Sequence, residues 1–124
     1  MRLNQVTLAV SDLDRSVAFY RTVGLTQIVA DDHYARFLCP VGDSTLSLEL
    51  VDQVTPSATT VFFECDELDA AVSALRALGI EFEHGPVDQP WLWREARLRD
   101  PDGNRLCLFH AGQNRINPPW RIRP

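Results

Sequence analysis

The sequence predicts an α+β fold made of two tandem βαβββ modules. Three observations predict it: an internal repeat, a strand followed by a helix at the start of each copy, and short apolar runs separated by turn residues. Shifted against itself by 55 positions, the sequence aligns residues 4–29 with residues 59–84 without a gap. Six positions are then identical: Val6/Val61, Leu13/Leu68, Asp14/Asp69, Val17/Val72, Arg21/Arg76 and Gly24/Gly79. The matches lie where a strand–helix unit needs them, which favours a duplicated unit.

Each copy is predicted to open with a strand and a helix. The apolar runs Val6–Val10 and Val61–Cys65 predict the two strands. Ser11 and Asp66 are predicted N-caps, because each is followed by a carboxylate three residues later. Apolar residues at i, i+4 and i+7 then form one helix face in each copy, namely Leu13, Val17, Tyr20 and Leu68, Val72, Leu75.

The helices are predicted to end at Gly24 and Gly79, since glycine suits the left-handed C′ position. Six further strands are predicted, at Leu25–Val29, Ala35–Cys39, Leu46–Val51, Ile80–Glu83, Glu95–Arg99 and Leu106–His110. The segment Asp100–Asn104 predicts a hairpin turn, because proline presets a turn and Gly103 can take positive φ. We therefore expect a single domain with modules at residues 3–52 and 59–110 and a C-terminal tail at residues 111–124.

Composition restricts the partners and the compartment. The net charge of −5 argues against a generic nucleic-acid binder. No apolar run reaches the length of a membrane span, and the N-terminal segment lacks a signal-peptide pattern. Three cysteines without a CxxC pair are typical of reduced thiols. We expect a cytoplasmic protein that binds neither nucleic acid nor membrane.

Two segments resemble the vicinal-oxygen-chelate superfamily, which includes glyoxalase I, extradiol dioxygenases, fosfomycin-resistance enzymes and bleomycin-resistance proteins. They are Val6–Tyr20 and the turn Asp100–Asn104 with its following strand, and the likeness covers about residues 3–110. The resemblance implies a curved mixed sheet that lines a cavity, with helices outside, usually completed in a homodimer. The superfamily contains lyases, dioxygenases, transferases and drug binders, so the function has to be argued from the site.

The resemblance also implies four metal-ligand positions, which here carry Gln5, Glu49, Thr60 and Cys107. The repeat pairs Gln5 with Thr60 and Glu49 with Cys107, and Gln5 with Glu49 makes an acceptable half-site. One amide, one carboxylate, one hydroxyl and one thiol are nevertheless a poor set for a divalent ion. We expect no cofactor; zinc, nickel or iron remains the alternative, with Glu49 as ligand and catalytic base.

Charged and aromatic residues complete the candidate site. Alternation in the predicted strand 95–99 turns Glu95, Arg97 and Arg99 toward the cavity if Ala96 and Leu98 pack on the helices. Arg97 opposite Glu49 or Glu64 would form a charge pair, either structural or gripping a carboxylate or phosphate of a ligand. Trp91 and Trp93, in a loop before this strand, would stack on a planar ligand or pack at a dimer seam.

Three functions follow, and whether the chain is an enzyme stays open. The favoured one is a glyoxalase/bleomycin-resistance-like protein that binds a small polar or aromatic molecule in a dimeric cavity without an intact metal site. The second is a metal-dependent lyase resembling glyoxalase I, which we favour over a dioxygenase because no two-histidine-one-carboxylate triad is present. The third is a non-catalytic interaction module.

Overall fold

A computed structural model describes all 124 residues. The elements are β1 (Gln5–Val10), α1 (Leu13–Val23), β2 (Thr26–Ala30), β3 (Tyr34–Leu38), β4 (Thr45–Leu50), β5 (Thr60–Glu64), α2 (Leu68–Ala77), β6 (His84–Asp88), β7 (Arg94–Arg99) and β8 (Arg105–His110), followed by a 3-10 helix, η1 (Gly112–Arg115). This order confirms the α+β class and the two βαβββ modules. No helix is both long and apolar enough to cross a membrane.

Each module builds its own four-stranded sheet, in the orders β1-β4-β3-β2 and β5-β8-β7-β6. The first strand of each module runs parallel to the fourth, and the other neighbours are antiparallel. Successive side chains of a strand point to opposite faces of the sheet. One face of each sheet is therefore apolar, with Phe37, Leu46 and Leu48 buried in the first module and Ala96, Leu98 and Leu106 in the second.

The chain divides into two compact units: unit 1 comprises residues 1–57 and 100–104, and unit 2 comprises residues 58–99 and 105–124. The turn Asp100–Asn104 was expected within the second module, but it packs as part of unit 1. The phenol of Tyr20 donates to Asp100 Oδ2 at 2.8 Å, and Asn104 Nδ2 donates to the carbonyl of Ala9 at 3.1 Å. Tyr20 is fully buried and lies 6.1 Å from the ring of Phe37.

The two helices begin differently from the prediction. Asp12, and not Ser11, caps α1, because its Oδ1 accepts from the backbone N–H of Arg15 at 3.1 Å. Ser11 instead donates its hydroxyl to Asp102 Oδ1 at 2.5 Å. In α2 the cap position is Glu67, and no side chain caps the helix, so Asp66 as N-cap was also wrong.

The helix ends agree with the prediction. Gly24 has φ 117° and donates its N–H to the carbonyls of Tyr20 and Arg21. These carbonyls would otherwise lack a partner at the end of α1. Gly79 likewise has a positive φ, 93°, and follows Leu78, the C-cap of α2. A side chain at either position would strain the left-handed backbone.

The strand predicted at Ile80–Glu83 was wrong: β6 is His84–Asp88, and of the predicted residues only Glu83 donates its backbone N–H to β7, at the carbonyl of Arg97. Gly85 and Pro86, which have low strand propensity, lie within β6. They are tolerated because β6 is the edge of its sheet and because the pairing with β7 is irregular between His84 and Val87. An edge position and a bulge both relieve proline of the need to donate a hydrogen bond.

Candidate functional site

The second face of the unit 1 sheet is polar. It carries, from three adjacent strands, Gln5 and Thr7 of β1, Thr45 and Ser47 of β4, and Tyr34 and Arg36 of β3. Ser47 lies at its centre, because the register pairs it with Thr7 on one side and Arg36 on the other. It is completely buried, whereas Tyr34 and Arg36 are half-buried.

A continuous hydrogen-bond network joins these side chains. Gln5 Nε2 donates to Ser47 Oγ at 2.6 Å, and the Thr45 hydroxyl donates to Gln5 Oε1. Ser47 Oγ and the Tyr34 phenol share a hydrogen bond of 2.5 Å, and Arg36 Nε donates to the same phenol at 2.9 Å. The arrangement fixes both ends of the Gln5 amide and one edge of the Arg36 guanidinium.

The network makes Tyr34 more acidic than an ordinary tyrosine. The hydrogen bond with Ser47 lowers the pKa of the phenol most, and the hydrogen bond and charge of Arg36 lower it further. Partial burial and the carboxylate of Asp31 oppose this change without cancelling it. Tyr34, Arg36 and Ser47 were not predicted as site residues, because the residues that meet on neighbouring strands depend on a register that no local pattern shows.

Gln5 and Glu49 are not brought together, contrary to the expected half-site. The parallel register of β1 and β4 pairs Gln5 with Thr45 and places Glu49 beside Ala9, four residues further along β1. Four residues of a strand span roughly 13 Å. Glu49 is exposed, and Ser47 takes the place next to Gln5 that had been assigned to it.

The corresponding face of unit 2 carries Thr60, Phe62 and Glu64 of β5, Cys107 and Phe109 of β8, and Glu95 and Arg97 of β7. Cys107 pairs with Phe62 on β5 and with Arg97 on β7, the two strands that neighbour β8. This is the position that Ser47 holds in unit 1. The repeat therefore matches Cys107 with Ser47, and the expected pairing with Glu49 was two residues out of register.

Glu95 is the buried charge of this face, with a relative exposure of 1%. Its Oε1 accepts from Arg97 Nη2 at 3.0 Å and from Arg97 Nε at 3.3 Å, while its Oε2 accepts from the Trp91 indole at 2.7 Å. Three donors compensate the loss of water around the carboxylate. Arg97 was expected to pair with Glu49 or Glu64; its partner is Glu95, two residues earlier on the same face of the same strand.

Cys107 is fully buried against this ion pair. Burial, followed by the negative charge of Glu95, raises the pKa of the thiol to about 11. Without a metal the thiol is therefore protonated at neutral pH, and this form does not attack an electrophile. Thr60 is half-buried and lies opposite Arg105, two residues along the sheet from Cys107.

Glu64 is engaged by the C-terminal tail. Its Oε2 accepts from the backbone N–H groups of Ala111 at 2.8 Å and Gly112 at 3.0 Å, and its Oε1 lies 3.4 Å from Arg115 Nε. Burial acts to raise the pKa of Glu64, but these two N–H groups and Arg115 hold it below its ordinary value. Glu64 thus fixes the start of η1. The sequence had instead predicted that Glu64 pairs with Arg97.

The two tryptophans have different surroundings. Trp93 stacks on Phe109 with ring centroids 4.7 Å apart, and its indole donates to the carbonyl of Asn114 at 3.3 Å. Trp91 is 43% exposed although its indole N–H is bound to Glu95. Phe62 is similarly exposed, at 41%, and the Arg97 guanidinium lies 5.5 Å from its ring centre. Trp93 is thus a packing residue, while Trp91 and Phe62 present open ring surface.

Comparison with known proteins agrees with the fold. Residues 2–108 match the family model of the glyoxalase/bleomycin resistance protein/dioxygenase superfamily. The chain belongs to this superfamily. Among relatives, an uncharacterized protein of Mycolicibacterium smegmatis is 31% identical over 109 residues, which are 86% of this chain and 91% of the relative.

Two solved structures of the superfamily illustrate the likeness. A glyoxalase/bleomycin resistance protein/dioxygenase from Nocardioides superposes with a TM-score of 0.78 at 26% identity, over 99% of this chain and 90% of the other. A bleomycin-binding protein in complex with bleomycin superposes with a TM-score of 0.74 at 24% identity, over 89% and 98% of the two chains. The second likeness shows the fold alone.

The side chains at the superfamily's metal positions do not fit a divalent cation. The Gln5 amide is already bound by Ser47 and Thr45, Cys107 is fully buried beside Glu95 and Arg97, and Thr60 offers a neutral hydroxyl. Among the carboxylates, Glu49 is distant in register from Gln5, Glu64 is bound to the tail, and Glu95 is bound by Arg97 and Trp91. No group of three or more His, Cys, Asp or Glu side chains is placed to hold an ion.

Proposed function

We propose that this member of the superfamily binds a small molecule with an anionic group and a planar part, on the polar face of unit 2, without a metal. The observation that carries the proposal is the Glu95–Arg97 pair. A glutamate side chain that is 2% exposed holds an arginine side chain that is 35% exposed, so Arg97 is fixed on its buried side and accessible to a ligand on its open side. Because Arg97 is already held in place, ligand binding loses less side-chain conformational entropy.

The remaining donors of Arg97 suit a carboxylate or phosphate. Its Nε and Nη2 bind Glu95, and its Nη1 has no partner in the structure. Arginine binds planar anions through several parallel hydrogen bonds, which makes the guanidinium more selective than an ammonium group. An anionic group placed beside Nη1 would accept from N–H groups that Glu95 does not bind.

The planar part of the ligand would lie against Phe62 and Trp91. Both rings are more than two-fifths exposed, and both belong to residues tied to the ion pair, one through Arg97 and the other through Glu95. Exposed aromatic rings next to fixed polar groups are typical of small-molecule sites. The bleomycin complex of a fold relative supports the same class of function.

A metal-dependent lyase is the alternative, and the donor set opposes it. A hydrogen-bonded amide and a neutral hydroxyl bind zinc, nickel or iron weakly, and Glu49 is four residues out of register with Gln5. Metal analysis of protein purified without chelator separates the two functions: we expect substoichiometric metal, whereas stoichiometric metal lost in Glu49→Ala would overturn the proposal.

We also propose that the protein works as a homodimer in the cytoplasm. Val87 and Leu92, in β6 and in the turn after it, are large apolar side chains with 45% and 47% exposure. The three cysteines are free thiols, as is usual in a reducing compartment. Sedimentation velocity tests the dimer: a monomeric wild type would contradict it, and Leu92→Asn, which tolerates the positive φ of 66° at this position, should weaken it.

Tryptophan fluorescence and thermal shift test the binding proposal with a panel of aromatic carboxylates and aryl phosphates, with and without divalent metal. Arg97→Lys is the informative variant, because it keeps a positive charge beside Glu95 but loses the planar fork. We expect a compound that stabilises the wild type to bind roughly tenfold more weakly to this variant. Arg99→Lys, on the same face of β7, is the matched control. Equal binding by wild type and Arg97→Lys would refute the assignment.

A further inference from the structure

Unit 1 repeats the arginine arrangement of unit 2 with different chemistry. Arg36 pairs with Ser47 in the sheet register as Arg97 pairs with Cys107. Each arginine donates its Nε to the side chain two residues earlier, which is the Tyr34 phenol in unit 1 and the Glu95 carboxylate in unit 2. The buried carboxylate of one module is thus replaced by a neutral phenol in the other.

This replacement leaves Arg36 without a carboxylate in direct contact. Its guanidinium lies 5.3 Å from the centre of the Tyr34 ring and forms no ion pair in the structure. Nη1 and Nη2 have no hydrogen-bond partner, so the end of the fork is open while Nε is held. Two parallel N–H groups at the end of a fixed guanidinium match the two oxygens of a carboxylate.

We propose that Arg36, positioned by Tyr34 and Ser47, is a second anion subsite of this protein and takes a carboxylate. The nearby acidic groups select a monoanion over a phosphate dianion: Asp31 lies close enough to act on the Tyr34 phenol, and Glu49 lies opposite Tyr34 on β4. The inference extends the proposed function to a ligand contact in unit 1, but it rests on separate residues.

The chain provides separate optical signals for the two units. It has two tyrosines, and Tyr20 is buried against Asp100, which together with burial raises its pKa far above the ordinary value. Ultraviolet titration therefore reports Tyr34 alone. All three tryptophans, Trp91, Trp93 and Trp120, belong to unit 2, so their fluorescence reports that unit.

The test titrates Tyr34 in cyclohexanecarboxylate, which is transparent at the tyrosinate band, and in chloride at equal ionic strength. A carboxylate bound to Arg36 adds negative charge beside the phenol, so we expect the pKa of Tyr34 to rise with carboxylate concentration in a saturable way. Inorganic phosphate at equal ionic strength should produce a smaller rise. No saturable rise, or an equal rise in phosphate, would overturn the proposal.

Arg36→Met should abolish the saturable rise, and Arg36→Lys should weaken carboxylate binding by roughly tenfold while retaining the charge. Arg15→Met, an exposed arginine of α1 in the same unit, is the control and should respond like the wild type. A rise that persists in Arg36→Met would refute the subsite. A tyrosine response without a tryptophan response would contradict the unit 2 proposal alone, and the reverse would contradict this one alone.

Discussion

Glu95 and Arg97 stand two residues apart on β7, and their side chains form an ion pair at 3.0 Å on the same face of the sheet. The carboxylate is buried and the guanidinium is a third exposed. Because the Trp91 indole binds the same carboxylate, one buried charge organises a cation and an aromatic ring at once. Four further properties of the protein can be tested independently of any ligand.

Removal of the Glu95 carboxylate should destabilise the fold. Glu95→Ala leaves Arg97 without its counter-charge and the Trp91 N–H without an acceptor, and we expect the free energy of unfolding to fall by about 2 to 3 kcal/mol. Urea denaturation measures this change. Glu95→Gln keeps an acceptor in place and should cost less; a larger loss for the glutamine variant would contradict the account.

Cys107 should resist thiol reagents in the folded protein. Its side chain is fully buried and its pKa is raised to about 11, so the reactive thiolate is scarce below that pH. Cys39 and Cys65 are partly accessible, although burial raises their pKa values as well. We expect a colorimetric thiol assay to count two slow thiols in the native protein and three after denaturation. Rapid modification of all three would show that Cys107 is exposed.

Glu64 should make the attachment of the tail dependent on pH. Its pKa is lower in the folded state than in the unfolded chain, so its contribution to stability is complete above the ordinary value of about 4.3 and is lost as pH falls through the folded pKa. Melting temperature and limited proteolysis of residues 111–124 against pH measure the effect. Glu64→Gln should remove this part of the acid dependence; an unchanged profile would argue against the contact.

The two helix starts should respond unequally to truncation. Asp12→Ala removes the side chain that accepts from Arg15 N–H and should cost about 1 kcal/mol of unfolding free energy. Glu67→Ala is the matched control in the second module, where no side-chain cap bond exists, and should cost little. Equal losses in chemical denaturation would mean that the caps do not differ in solution.

The sequence was sufficient to predict the features that depend on a local pattern of residues. Helix faces follow from a 3.6-residue period, and Gly24 was identified as a helix end because few other residues adopt its φ. Features that depend on pairing were missed. Ser47 could not be distinguished from Glu49 by alternation, since both occupy the same face and only the register of β1 against β4 selects one of them.

Burial was the other quantity that the sequence did not reveal. The sequence alone did not distinguish Glu95 from an exposed strand carboxylate. Its role as the buried partner of Arg97 and Trp91 follows from three donors on β7 and the preceding turn. Strand β6 was misplaced because Gly85 and Pro86 weaken the local signal, while its edge position removes the penalty. In both cases the tertiary surroundings decide what the residue contributes.

The turn Asp100–Asn104 limits how far this protein can be dissected. A fragment ending at Ser57 would contain every strand and helix of unit 1 but would lack Asp100, the acceptor of the buried Tyr20 phenol. A buried hydroxyl without an acceptor costs about 1 to 3 kcal/mol, a large share of what so small a fragment could gain by folding. The first repeat in the sequence therefore does not contain every residue that its fold requires. A graft of the first module into another protein should include the turn Asp100–Asn104.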